Sequence, residues 1–368
     1  MSVHLSDRPV AAAAPPRRAR VNRRGAGGDG AVGWLFLAPA IVVLGLFLVL
    51  PIVMAFWVSV SDWKGTGSPF ASSVGFVGAD NYAALLTTPG LAQQNFGTSV
   101  RNNLYFVLFV VPVQTALALF LAVVLNQRRL RGRNFFRTAL YFPTVTSSVA
   151  ISVVFLFLFS SSGTVNAALG LFGVDGPSWF ADPRGIFHLA LQGLGVVAAD
   201  HPPAALADTS VLGLSLWDWL SGPSVAMCSI IILVVWTSTG GYMLMFYAAL
   251  QNIPVSLDEA ALIDGATPVQ RFWRITVPQL RPTLFLVLTL GLIGTWQVFD
   301  QVYVMSRGAP ANTTLTPAYL SYSTSFIGKQ WGQGSAIAFM LFVLIVALTL
   351  VQRWILRERD RTPRRAGR

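Results

Sequence analysis

Residues 33–60 read GWLFLAPAIVVLGLFLVLPIVMAFWVSV, a stretch of 28 residues without one ionisable side chain. An α-helix of about 20 residues crosses roughly 30 Å of hydrocarbon at about 1.5 Å per residue, so a run of this length is read as a membrane span. Comparable runs recur at about 103–126, 138–160, 224–250, 282–305 and 334–356. In lipid every backbone N–H and C=O must be paired internally, which leaves helices as the fold for such segments. The expectation is an all-α integral membrane protein with six transmembrane helices. Charged residues make up only 11% of the chain against about 25% in soluble domains, in keeping with that reading. The first run is too long for a signal-peptide core and lacks a small-residue cleavage site, so it is read as retained.

The charges test the count. With six crossings, one side of the membrane carries four segments: residues 1–30, the segment after the second span (Arg128 to Arg137), the loop around Arg271, Arg274 and Arg281, and the C-terminal residues from Arg353. Together they hold 21 of the 26 Lys and Arg; the other side holds Lys64, Arg101, Arg184, Arg307 and Lys329. The positive-inside rule then places both termini and the 256–278 loop in the cytoplasm. Residues 1–30, rich in Ala, Arg, Pro and Gly, read as a disordered basic cytoplasmic tail, and 357–368 as a second one. The net charge of +11 is therefore a topology signal first and a contact with lipid headgroups second; nucleic acid is a poor third. A lone Cys228 and three scattered His (His4, His188, His201) offer no disulfide, no metal cluster and no catalytic set.

Between the third and fourth spans lies a long external stretch. Its apolar run at about 185–199 contains His188 and Gln192 and is marginal for a crossing, so an interfacial or re-entrant helix is expected.

The polar loop SLDEAALIDGATPVQRFWRITVP, residues 256–278, carries unusually explicit helix punctuation. Ser256 with Glu259 reads as a capping box, and Asp258 and Glu259 favour the positive end of a helix dipole. Gly265 supplies a left-handed stop. Thr267 with Gln270 repeats the box, with Pro268 at the first helical position. Two short helices around a glycine turn are predicted. Helices of about seven residues are not stable alone in water and need a surface to dock on. Ala260 and Ala261 offer a small-residue face, while Val269, Phe272 and Trp273 line up at i, i+3, i+4. The residues alone leave two occupants open, the protein's own membrane domain or another protein.

The order Glu259-Ala260-Ala261, Asp264-Gly265-Ala266, Phe272, Ile275, Val277-Pro278 and Pro282 resembles the EAA loop of permeases in bacterial ATP-binding-cassette importers. Val277 stands where a Leu is common. WLFLAPA (34–40), FVGADNY (76–82), LNQRRLRGRNFFRTALYFP (125–143) and GTWQVFDQVYVMSRGAPANTT (294–314) resemble segments of the carbohydrate-uptake branch, related to maltose and glycerol-phosphate permeases. The likeness covers about four-fifths of the chain and leaves out residues 1–30 and an insertion at 184–223. It implies that Glu259, Ala260, Ala261, Asp264, Gly265 and Phe272 form a coupling element that docks on a cytosolic ATPase subunit present in two copies. It also implies a second permease subunit, an extracytoplasmic solute-binding protein, a bacterial cell membrane and a sugar or sugar-like cargo carried by alternating access. ATP and Mg would be held by the partner ATPase. This chain has no G-x-x-x-x-G-K-[ST] loop, its Gly328-Lys329 pair being followed by Gln330, and no catalytic motif, so a transport subunit rather than an enzyme is expected.

Polar side chains within spans usually face a cavity or another helix. Trp296 suits stacking on a sugar face, and Gln297, Asp300 and Gln301 suit hydroxyl recognition; Tyr242 is a further candidate. Asp300 is equally readable as a structural pair, and Gly240-Gly241 as a close helix-packing point. The competing readings are a permease of the same kind for a non-sugar solute and a self-sufficient secondary carrier, for which no internal repeat is visible.

Overall fold

The computed structural model describes residues 26–127, 131–195 and 203–356. Most of the expected tails (1–25 and 357–368), Arg128 and Arg129, and residues 196–202 lie outside the described residues. The described residues fall into two compact units, divided after Met54.

In the first unit, helix α1 starts at Ala26, five residues inside the segment expected to be a tail, and runs to Leu44. A π-helical turn, Gly45–Val49, follows, and the helix resumes over Leu50–Ser59. Pro51 lacks an N–H and its ring would press on the carbonyl one turn back; the wider turn just before it relieves that clash. The apolar portion, Gly33–Ser59, is long enough to cross a bilayer.

In the second unit, α2 (Leu91–Asn126) is 36 residues long, starting 12 residues before the expected span. At about 54 Å it outreaches the hydrocarbon by several turns. The bent pair α3 (Arg133–Val145) and α4 (Ser148–Leu158) replaces the single straight helix expected at 138–160, turning by 98° between them. Pro143 begins the break, and Thr146 and Ser147 are extended. Ser147 caps α4 through a bond from the Ala150 N–H. The short helix α5 (Ile186–Gly193) is followed by a two-stranded hairpin, β1 (Ser210–Val211) with β2 (Leu214–Ser215). Helix α6 (Val225–Gln251) runs along α2. After the loop helices come α7 (Arg281–Trp296) and α8 (Asp300–Met305), broken at Gln297–Phe299. Then follow α9 (Pro317–Tyr322) and the last span α10 (Trp331–Leu356).

Among the described residues five helical segments are each long and apolar enough to cross, and the bent pair, counted as one span, makes six. The chain from Arg133 to Gly185, which includes the pair, runs between the two ends of the bundle. Arg133 and Arg137 of α3 lie over the Tyr247 ring near the end of α6, whereas Gly185, beyond α4, bridges Ser224 at its beginning. One apolar cluster (Phe106, Val110, Met227, Ile230, Val302, Ile337) fills the half of the bundle where α6 begins. A second (Ala118, Ala122, Leu125, Met243, Phe246, Leu280) fills the half where α2 and α6 end.

The 184–223 segment packs on the projecting turns of α2. Arg101 donates to the Asp218 carbonyl at 3.3 Å, Tyr105 to the Trp219 carbonyl, and the Leu212 backbone sits directly on Gly97. Within the apolar run at 185–199, Ile186–Gly193 form an eight-residue helix, and residues 196–199 lie outside the described residues. His188 stacks on Trp217 at 4.1 Å, and burial lowers its basicity. Just ahead, Arg184 grips Asp182 with two guanidinium nitrogens at 3.0 and 2.7 Å, holding that carboxyl below the usual range.

Candidate functional site

The polar loop is built as a pair of short helices, Val255–Ile263 and Pro268–Arg271, the second continuing as a π-helical turn over Phe272–Thr276. One expected capping box is absent. Pro254, extended at φ −58°, ψ 128°, is the N-cap, so Ser256 is already inside the helix and its hydroxyl makes no cap bond to Glu259 or the backbone. The other box forms in full: the Gln270 N–H donates to Thr267 Oγ1 at 3.3 Å and the Thr267 N–H to Gln270 Oε1 at 2.9 Å. The stop at Gly265 is also as read. Its φ of 74° closes a Schellman turn, with Ala266 N–H donating to the Ala261 carbonyl at 2.9 Å and Gly265 N–H to Leu262 at 3.1 Å.

Asp258 pairs with Arg271 at 3.5 Å and ties the two helices together. Ala261 is buried while Glu259, Ala260, Asp264 and Gly265 are exposed; Phe272 is half-buried with its ring edge against Trp273. Large apolar side chains face outward beside them: Ile263 is 87% exposed, and Val269, Trp273 and Leu262 are also open. Leu280 anchors the exit of the loop among Ala118, Leu125 and Phe246, at the end of the bundle opposite the 184–223 segment. A cleft of about 630 Å³ separates the first loop helix from the ends of α2 and α6, with Glu259, Asp258 and Arg133 on its walls.

The second locus lies where two helix breaks meet. Ser148, at the start of α4, donates to the Asp300 carboxylate at the start of α8. A cleft of about 210 Å³ opens there, lined by Gln297, Asp300, Gln301, Phe299 and Gly294. Three of the five expected path residues are thus brought together. Trp296, 1% exposed, is instead packed against Leu341 and Ile345, its indole N–H unpartnered. Tyr242 sits half-buried against the other apolar cluster and does not line the cleft. Gly240 is a packing point, because a Cβ there would run into the Leu140 carbonyl of α3. Thr144 fastens the contact, donating to the Thr237 carbonyl at 2.6 Å and accepting from the Gly241 N–H at 3.1 Å.

Sequence reasoning missed Ser148, Thr144 and Gln114. Gln114, buried within α2, accepts from Ser238 at 2.5 Å. The signal for the first two was the run Pro143-Thr-Val-Thr-Ser-Ser within an apolar stretch, a proline followed by hydroxyls that cap a fresh helix.

Broken helices meeting around polar side chains within a bundle, with a preorganised helix pair displayed at one end, define a multi-pass membrane permease. The chain belongs to the family of binding-protein-dependent transport system inner membrane components, whose model matches residues 114–361. It is 31% identical over 330 residues to the lactose transport system permease protein LacF of Rhizobium radiobacter, covering 89% of this chain and 94% of that one. It is 30% identical over 320 residues to the trehalose/maltose transport system permease protein MalF of Thermococcus litoralis, covering 87% and 92%. Its fold matches the crystal structure of a bacterial ABC transporter that imports the acidic polysaccharide alginate, with a TM-score of 0.64 at 20% identity over 90% of this chain and 98% of that one. It is a transport subunit, not an enzyme.

Proposed function

We propose that this permease carries a sugar or sugar-like solute into the cytoplasm by alternating access, driven by two copies of an ATPase subunit that hold ATP and Mg. A second permease subunit completes the pathway, and an extracytoplasmic binding protein delivers the solute. The relatives named for lactose and for trehalose/maltose support the cargo class. Both termini and the 256–278 loop face the cytoplasm of a bacterial cell membrane, supported by the asymmetry of Lys and Arg.

The observation that carries the coupling role is the loop itself. Its two helices are held by a Schellman turn, a capping box and one ion pair, yet they turn Ile263, Val269 and Trp273 outward beside an exposed Glu259. Apolar side chains displayed on a preorganised element beyond the lipid-spanning helices need a protein to cover them. Glu259, Ala260, Asp264 and Gly265 lie on the open side of the turn, and closure of the ATPase pair would push there. Leu280 and the Arg281 helix pass that push on to the break at Gln297–Phe299.

Uptake of labelled sugars by the reconstituted complex, wild type against Glu259→Lys, tests this. The charge reversal is expected to lower uptake at least about tenfold, the equivalent of about 1.4 kcal/mol of coupling, with the permease still inserted. Full uptake by a mutant that still co-purifies with the ATPase would remove the loop from the mechanism.

A further inference from the structure

The end of the bundle opposite the loop carries a second polar cleft, of about 470 Å³, with Asp62, Trp63, Lys64, Asn81, Lys329 and Gln333 on its walls. Lys64, Lys329 and Gln333 make no side-chain hydrogen bond among the described residues, and both lysines are exposed. Aromatic rings lead from this cleft toward the break at Gln297–Phe299. Trp63 meets Trp331 at 5.4 Å between ring centroids, Trp331 meets Phe326 at 4.6 Å, Phe326 meets Tyr322 at 5.0 Å, and Tyr322 meets Phe299 at 5.3 Å. Tyr303 joins the row beside Tyr322 at 5.5 Å. Phe299 itself lines the inner cleft beside Asp300. The row thus has a polar cleft at each end.

Two details argue that this is more than apolar packing. Gly65, at φ +84°, leaves its α-face bare, and the Trp331 indole lies flat against it where any Cβ would collide. That placement fixes the indole beside the polar cleft instead of within the bundle. Phe326 is 58% exposed and has no polar tip. Rings at a membrane interface are typically Trp and Tyr at one depth, each with a polar end toward the headgroups. A row that descends from the cleft to a helix break and includes a bare phenyl ring has a different logic. Sugars present apolar C–H faces with hydroxyls around the rim. They are held by aromatic planes with a few convergent polar groups alongside.

We infer that the outer cleft is a second sugar subsite, from which the cargo passes along the Trp331–Phe326–Tyr322 rings to the inner cleft at Asp300. The inference rests on the sugar reading of the cargo and adds the route by which it enters.

The test is uptake by the complete reconstituted transporter of a labelled sugar that the wild type carries. Absence of any wild-type sugar uptake would end the cargo reading before variants are compared. With wild-type uptake in hand, Trp331→Leu and Phe326→Leu are each expected to raise KM about five- to tenfold, the loss of one aromatic contact, with kcat within twofold. Trp331→Phe is expected to restore most of the KM. Unchanged KM in both Leu variants would overturn the route. Should a Leu variant fail to assemble, Phe326→Cys answers separately. Reaction with a water-soluble maleimide that is slowed by the sugar supports the route, whereas no reaction, as for a ring facing lipid, overturns it.

Discussion

At Gly240 the carbonyl oxygen of Leu140 on α3 occupies the space any side chain would need, whereas at Gly241 a Cβ would meet the Thr144 methyl at 3.2 Å. A backbone carbonyl in outright collision cannot step aside, whereas a contact at 3.2 Å asks for a shift of only a few tenths of an ångström, so the neighbouring glycines differ in tolerance. Gly240→Val is expected to cost about 1–3 kcal/mol or more, as overpacking does, and Gly241→Ala well under that. Thermal unfolding of the detergent-solubilised complex would rank them; equal losses would mean that α3 is not seated on α6 as described. The sequence left this pair open between packing and substrate contact, because nothing in Gly-Gly says which partner comes close. Asp300 was open for the same reason. Its partner is a serine 152 positions away, and no periodicity links the two.

Among elements, the loop helices test whether capping can be read from sequence. Ser256 and Thr267 each stand three positions before a Glu or Gln, yet only Thr267 caps, because Pro254 starts the first helix earlier. Thr267→Ala should destabilise the second helix by about 1 kcal/mol, whereas Ser256→Ala should change little. Hydrogen exchange at Val269, Gln270 and Arg271 for the first variant, and at Asp258 and Glu259 for the second, reads this directly: several-fold faster exchange in Thr267→Ala alone is expected, and a matching rise in Ser256→Ala would place a cap at Ser256. Local chemistry thus made the second helix and the glycine turn legible. The competing Pro254 signal hid the first helix's true start. The same holds for the spans. Hydropathy locates every apolar helix, but it reads only composition, so it misses the polar turns that extend α2 from Asn102 back to Leu91. It also runs straight through the break at Thr146–Ser147, where two extended residues redirect the chain by 98°.

For the whole molecule, the decisive quantity is parity, the number of crossings between Arg133 and the 256–278 loop. The structure sets the 184–223 segment and that loop at opposite ends of α6: Ser224, at its start, bridges Gly185, while Leu280, leaving the loop, packs on Phe246 near its end. The chain between Arg133 and Gly185, which includes the bent pair, then runs from the Tyr247 end back to the Gly185 end. In this arrangement Val211 and Lys329 share one face of the membrane, and Leu262 and Ile263 lie on the other. In the proposed orientation the Leu262 face is the cytoplasmic one, as the skewed Arg distribution supports. Single cysteines at Val211, Lys329 and Leu262, in a Cys228→Ala background, separate the possibilities in intact cells. An impermeant maleimide should modify Val211→Cys and Lys329→Cys directly, and Leu262→Cys only after permeabilisation. Labelling of all three from outside would mean that neither α6 nor the α7–α8 pair crosses. Labelling of Leu262→Cys alone would mean that the bent pair re-enters without crossing or that the molecule is inverted, and either would detach the loop from any cytosolic ATPase. Either result would undo the coupling role, because the push on the helix pair has to come from the side where ATP is.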